Sequence, residues 1–473
     1  MNTLNYYLDI FKVTVPQMES LVAKALERGG DFADLYFEYT TFNNLMLRDS
    51  EVTSGGFHID YGVGVRTISG DRTGYAYAEN TRMRDMMDAA AAASAIASGT
   101  SGTWTQPASR LVEAGADLYP VLKSWRKTEL SEFVPFLHAL ERAVLEREKR
   151  AVKVIARVSS SDSDVLMFNS LGEITFDSRP MGSVVVSVIY SDGRNTISKS
   201  SSRSFRTGAE MLDDALVETL ADEVVRNVDA LLEAERPKGG QMPVVMGAGA
   251  SGILLHEAMG HAFEADFNRK GQSIFAGRIG ERVAAKGINV VDDGLLAANR
   301  GAGAFDDEGV RGEKTYMVTD GVLTSYLHDR VSARYYGLES TGNGRRECFR
   351  FNPIPRMRAT YMEGGADDPR AIIESVRKGI YCAEFTNGQV KIGEGDFTFY
   401  VKSGWMIENG RLTRPVKDIN IIGNGPKALA DITMVGNDLK VDNGTWTCGK
   451  DQSVPVSCGI PTVLVKSLAV GGM

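Results

Sequence analysis

The chain is 473 residues long and short of the features that mark most specialised protein classes. Its four cysteines, Cys348, Cys382, Cys448 and Cys458, include no CxxC pair, which excludes a disulfide framework as the organising device. No apolar run approaches the roughly 18 residues that a membrane span needs. Residues 1–12 lack the basic start, long apolar centre and small-residue cleavage site of a secretory signal. Lys and Arg number 53 against 61 Asp and Glu, a formal charge of −8, so there is no basic excess to grip phosphates. The expectation is a cytoplasmic protein with no membrane and no direct nucleic-acid partner. Histidine is scarce too: there are five in all, and two of them, His256 and His261, stand five residues apart.

What is present is ordinary for a globular protein, with 43% hydrophobic and 24% charged residues and length for two or three domains. Helical periodicity is read at 15–28, 82–98, 131–147 and, as one long acidic-faced helix, 210–235. Short alternating segments at 34–40, 44–48, 62–67, 73–78, 152–157, 164–169, 174–177 and 183–190 read as antiparallel strands. Breaker-rich stretches at 99–107 and 237–240 suggest three regions: an N-terminal α+β region at 1–100, a central α+β region at 101–237, and a strand-rich domain at 238–473. The fold class is α+β. In the last region Asp320-Gly321 and Asn409-Gly410 are hairpin turn signals.

The run from Ser251 to Asp266 carries the chemistry. Ile253, Leu254, Leu255, Met259 and Phe263 give it an apolar stripe at helical spacing, and His256, Glu257 and His261 ride on it. Two neutral imidazoles beside a carboxylate suit a metal hydrolase, in which the acid takes the proton of a metal-activated water. The spacing is HExxxH, however, and five residues of regular α-helix turn about 500°, leaving the imidazoles roughly 140° apart. Both can face one ion only if the helix carries a π-type bulge or a break, and Gly260 is the expected yielding point. The glycines at 247–252 read as a tight turn into this segment, since no P-loop lysine follows them. His58 and His138 read as packed or surface histidines.

Further stretches extend the pattern: Asp292-Asp-Gly, Asp306-Asp-Glu-Gly309, Leu327-His-Asp-Arg, Thr341-Gly-Asn-Gly-Arg-Arg-Glu347, Gly395-Asp-Phe, Ile407-Glu-Asn-Gly, Ile422-Gly-Asn-Gly-Pro426 and Cys448-Gly-Lys. With the HExxxH run they resemble, in order, the TldD/PmbA family, on its TldD-like side. Asp34-Leu-Tyr-Phe-Glu and Gly62-Val-Gly-Val-Arg match more weakly. The resemblance implies a zinc metalloprotease acting on small or unfolded peptides inside a dimer with an enclosed chamber. That dimer is either a homodimer or a heterodimer with a PmbA/TldE-like subunit lacking HExxxH. It also implies that Cys448 is the third zinc ligand, with Cys458 and Glu264 as alternative donors and Glu264 also suited to steering an imidazole. Glu257 is the expected general base. His328, Asn343, Arg345 and Arg346 are candidates for contacting substrate or stabilising an oxyanion, with Arg345 and Arg346 equally suited to pairing with the acids at 306–308. A peptide binding as an added strand would account for broad specificity. Two rivals stand beside this reading: a non-catalytic peptide- or partner-binding subunit with a structural zinc, and an amidase or lactamase acting on a small metabolite.

Overall fold

The computed structural model describes residues 3–97, 104–115 and 117–472. Most of the breaker-rich stretch at 99–107 therefore lies outside the described residues.

One antiparallel sheet runs through the first two hundred residues. Its strands, in spatial order, are Arg72–Ala78, Glu51–Ser69, Phe32–Arg48, Ala151–Asn169 and Glu173–Ser191, with Thr196–Phe205 along the last and Arg110–Leu111 at its start. Several expected short strands are halves of longer ones. The expected breaks at 41–43 and 158–163 are not breaks, because Thr40 to Asn44 pair with Ser163 to Ser159 in unbroken register. Polar residues there are buried or half-buried on a two-sided ladder, so their polarity does not end the strand.

Alternation along these strands assigns the two faces. Leu35, Phe37, Leu166 and Phe168 join the core under helices Leu4–Phe11, Val15–Leu26 and Met83–Ser94. Leu45, Leu47, Ala156 and Val158 have the same parity and lie under helices Phe133–Arg147 and Asp214–Val225. Residues of opposite parity, Tyr36, Val165 and Met167, pack instead against Ala302, Phe305 and Phe349. One face thus carries the helices, and the other receives the C-terminal half. The long helix expected at 210–235 is two, Asp214–Val225 and Val228–Glu233, separated by Asn227 in the left-handed region at φ 61°. Asparagine is one of the few non-glycine residues that adopt this geometry readily.

A buried ion pair network ties the halves together. The Arg66 guanidinium, on strand Glu51–Ser69, contacts Asp34 and, at 2.6 Å, Glu308 of the C-terminal half. Arg66→Met leaves both carboxylates buried without a counter-charge and is expected to cost about 3–5 kcal/mol. The urea midpoint at constant m-value is the check.

In the C-terminal half, strands Gly240–Met246, Lys378–Lys391, Asp396–Glu408, Arg411–Asn424 and Val463–Gly472 form a ring, closed where Ile419 to Ile422 pair with Gly472 to Ala469. Closure removes the exposed edges of an open sheet. A second six-stranded sheet is built around Val290–Asp293, Ala359–Met362 and Ser457–Ile460. The HExxxH segment lies in the core shared by both: Leu254, Leu255 and Met259 cluster with Phe397, Phe399 and Ile421 of the ring and with Val290 and Ile460 of the second sheet. The hairpin turns at Asp320-Gly321 and Asn409-Gly410 have φ of 49° and 77°, and 52° and 75°, the conformation that asparagine, aspartate and glycine tolerate best.

Candidate metal centre

Strand Gly240–Met246 leads into a glycine turn, with Gly249 at φ 99° and Gly252 so close to Gly459 that a Cβ would sit 2.5 Å from its nitrogen. A short α-helical turn, Ile253–Leu255, then widens into a π turn at His256–Gly260. The His261 N–H donates to the His256 carbonyl, the i→i+5 bond that defines such a turn. This is the bulge that the five-residue spacing requires, and it brings the two imidazoles to 5.0 Å between centroids with their planes at 82°.

Gly260 itself is helical, at φ −53° and ψ −55°, so its backbone freedom is not what the site uses. The missing side chain is: a Cβ there would run into the sulfur of the fully buried Met357. Gly260→Ala is expected to cost about 1–3 kcal/mol through overpacking. It should also loosen metal binding, which thermal denaturation with and without metal will separate.

The third donor comes from far along the chain. Cys448 lies on strand Thr447–Lys450, which forms a small hairpin with Gln452–Pro455. Its sulfur is 3.3 Å from His261 Nε2, and one ligand atom each from His256, His261 and Cys448 lie within 4.8 Å of one another. All three residues are buried. His261 Nδ1 donates to Glu264 Oε2 at 3.0 Å, which fixes the tautomer and leaves Nε2 turned toward the sulfur. Burial alone would raise the Glu264 carboxyl, but Lys450, His261 and Arg356 hold it down at about 2. Burial would likewise raise the Cys448 thiol, yet the facing imidazoles of His256 and His261 pull it down to about 4. His261, despite its burial, is raised well above the usual imidazole range by Glu264 and the Cys448 sulfur. Cysteine and histidine therefore behave as one thiolate–imidazolium pair.

A cleft of about 620 Å³ opens onto these groups, walled in part by His256, Glu257, His261, Cys448, Lys450 and Cys458. Glu257 is half-buried, which raises its carboxyl above the usual range, against the pull of the imidazoles. Gly388 of strand Lys378–Lys391 packs over it, and a Cβ there would meet Glu257 Cγ at 3.1 Å. Cys458 borders the cleft but is not among the three converging donors.

The structure places the four remaining sequence candidates away from this cleft. His328 is 1% exposed, its ring between Tyr326 and Tyr336, and burial lowers it to about 4. Asn343 donates to Asp292 Oδ2 at 2.7 Å and to the Arg356 carbonyl at 3.0 Å. Arg345 donates to the carbonyls of Met357 and, at 2.8 Å, Pro455. Arg346 lies 4.2 Å over the Tyr36 ring and donates to the Asp307 carbonyl, so it does reach the acidic 306–308 stretch.

Two residues near the donors were not singled out from sequence. Lys450 Nζ lies 3.0 Å from Glu264 Oε2 and 2.7 Å from Asp266 Oδ1. Arg356 donates from Nη2 to the Cys448 carbonyl at 2.6 Å, with Nε 3.9 Å from Glu264 Oε1. Lys450 follows Cys448 by two on a strand, a spacing that puts both on one face and was a usable signal. Arg356 carries no such mark.

The PmbA/TldA metallopeptidase domain 1, central domain and C-terminal domain profiles match residues 33–97, 123–232 and 239–472. A metalloprotease TldD homolog from Haemophilus influenzae is 37% identical over 451 residues, 94% of each chain. The chain belongs to the TldD/PmbA metalloprotease family. A zinc metalloprotease TldD homolog from Saccharolobus solfataricus is 34% identical over 245 residues, 51% of this chain and 54% of that one. Among solved structures, TldE from Thermococcus kodakarensis has the same fold, with a TM-score of 0.75 over 96% of this chain and 100% of that one at 18% identity. Among the described residues, no helix is long and apolar enough to cross a membrane.

Proposed function

We propose that this chain is a zinc-dependent peptidase that hydrolyses small or unfolded peptides, with His256, His261 and Cys448 as metal ligands and Glu257 as general base. The observation that carries the reading is the convergence of three buried donors, one of them a thiol held down at about 4, on a cleft that Glu257 also lines. A tetrahedral zinc with bonds of about 2.0–2.3 Å keeps its ligand atoms roughly 3.3–3.8 Å apart, and the 3.3 Å between Cys448 Sγ and His261 Nε2 suits that spacing. The thiolate, two imidazoles and fixed His261 tautomer are the chemistry that zinc prefers. When bound, zinc supplies Lewis-acid polarisation and a water acidic enough to attack at neutral pH.

The chain's own residues do the rest. Glu257 takes a proton from the attacking water and hands it to the departing amine. Its enclosure keeps the carboxyl more basic than in water, which favours that role. Glu264, held by Lys450 and Arg356, keeps His261 facing the metal position. The three-donor set with an open cleft favours catalysis over a closed structural metal site, because it leaves a position for water and substrate. We assign Asn343, Arg345 and Arg346 to the scaffold beneath the site, where their hydrogen-bond partners already lie within the chain, and His328 to an aromatic cluster with Tyr326 and Tyr336, where neither ring nitrogen has a hydrogen-bond partner among the described residues. Pairing with a TldE-like subunit, and a cytoplasmic setting, are part of the proposal; the fold shared with TldE supports the first.

The test is metal analysis paired with a mixed-peptide digest. About one zinc per chain and chelator-sensitive cleavage are expected; a metal-free protein that cleaves peptides would sink the reading. A finer expectation follows from the thiolate–imidazolium pair. Since the Cys448 thiol is held down and the His261 imidazolium is held up, zinc uptake should displace its proton from His261 and not from the sulfur. Zinc affinity should then fall as pH drops through the raised range in which His261 takes up its proton, as calorimetry in buffers of different ionisation enthalpy will register.

A further inference from the structure

The two ends of the metal cleft differ in character. Along the strand that carries the sulfur, Trp446 and Lys450 share the parity of Cys448 and stand two residues, about 7 Å, to either side of it. The ladder reaches back to Trp446, whose carbonyl accepts from the Val456 N–H at 3.2 Å. At the Lys450 end the wall is charged: Asp451 follows, and the ammonium group lies 4.3 Å over the Phe267 ring while it holds Glu264 and Asp266. At the other end it is apolar. Trp446 is half-buried, and its indole N–H donates to Asp442 Oδ1 at 2.6 Å, which fixes the ring. Asp442 is paired across the second sheet with Cys458, and Cys458, Val456 and Ile253 line the cleft with Trp446. Ile253 precedes Glu257 by four residues, about one turn, and so lies on the side of the helical segment that carries the carboxylate. Burial and the carboxylates of Asp442 and Glu257 raise the Cys458 thiol well above its usual range, so it stays a neutral group that behaves as a small hydrophobe. Of the four tryptophans in the chain, Trp446 is the one in the cleft wall.

We propose that this end of the cleft is a subsite for one large apolar side chain of the substrate, close to the cleaved bond, and that Trp446 is the residue that selects it. The ligand class follows from the wall. An apolar side chain sheds its water onto Trp446, Ile253, Val456 and Cys458, whereas a polar one gives up hydrogen bonds that these four side chains do not replace. A ring already fixed by its own hydrogen bond loses little freedom on contact, so little of the gain is offset by ordering. Spacing sets the position: a peptide extended along this wall, with its cleaved bond at the metal position beside Cys448, brings a side chain within about two residues of that bond to Trp446. Substrates are thereby ranked by the residue they place there, whatever the rest of their sequence.

The substrate class rests on the peptidase reading, so binding is read separately from turnover. A short peptide of glycine and serine, labelled at its N-terminus and amidated at its C-terminus, carries a single central Leu or Asn, which are close in shape and opposite in polarity. Titrated into zinc-loaded full-length Glu257→Gln protein with anisotropy as readout, the Leu peptide should bind at least about tenfold more tightly. An added Trp446→Ala should bring that ratio toward one with zinc content unchanged, and an added Trp446→Phe, which keeps an aromatic ring, should retain most of it. Binding of the Leu peptide should also shift tryptophan emission in the Glu257→Gln protein and cease to do so once Trp446→Phe is added; this reading decides the matter if the alanine variant does not fold. Cuts made by the unsubstituted enzyme, mapped by mass spectrometry, should fall within about two residues of the Leu. Equal binding of the two peptides, a preference that survives Trp446→Ala, an emission shift that survives Trp446→Phe, or cuts placed without regard to the Leu overturns the proposal. A Leu preference in binding without cleavage of any peptide would count against the peptidase reading and leave the subsite standing.

Discussion

Glu257→Gln is expected to keep its zinc and to hydrolyse peptides about 10²- to 10⁴-fold more slowly. The amide has nearly the shape of the carboxylate and so preserves packing under Gly388, but it cannot take up the proton. Because Glu257 is not one of the three converging donors, metal content should be unchanged. This split between intact metal and lost turnover distinguishes a base from a ligand. The measurement is zinc stoichiometry beside initial rates on one peptide. Full activity in the variant would remove Glu257 from the mechanism, and loss of zinc would move it into the ligand set.

Cys448→Ala should do the reverse and release the metal. Its sulfur is one of three donors, and losing even a supporting partner of a ligand typically costs 10–100-fold in affinity, so at least about 100-fold is expected here. The fold should survive, because the hairpin is also held through its backbone by Arg345 and Arg356. Competition with a chromogenic chelator measures the affinity, and circular dichroism confirms folding. Retention of tight zinc in this variant would point to Cys458, which also borders the cleft, as the donor.

The sequence pattern made the convergence of His256 and His261 more legible than the architecture around it. Five-residue spacing between His256 and His261 is a geometric conflict within an α-helix, and the π turn is its resolution. Cys448, by contrast, is separated from His261 by 187 residues, and no local periodicity connects them; family resemblance supplied that link. Asn343, Arg345 and Arg346 stood out as polar residues in a glycine-bearing loop, a pattern shared by residues that touch substrate and residues that satisfy buried carbonyls, and His328 stood out only as a scarce residue type beside an aspartate and an arginine. Long strands were read as short ones for a related reason. Hydrophobicity marks where a strand is buried among apolar groups, and stretches such as 159–164, which are polar even where they are buried, leave no apolar trace.

The order in which the donors occur along the chain has a consequence for biosynthesis. Both imidazoles are made some two hundred residues before the sulfur, and the strand that seals the ring, Val463–Gly472, comes last of all. A polypeptide still on the ribosome, or one terminated prematurely, holds an incomplete coordination set within an unsealed barrel. On the peptidase reading, hydrolytic competence is thereby deferred until the strand bearing the sulfur and the strand closing the ring have both been made, so copies that stop short of them are inert toward the nascent chains around them.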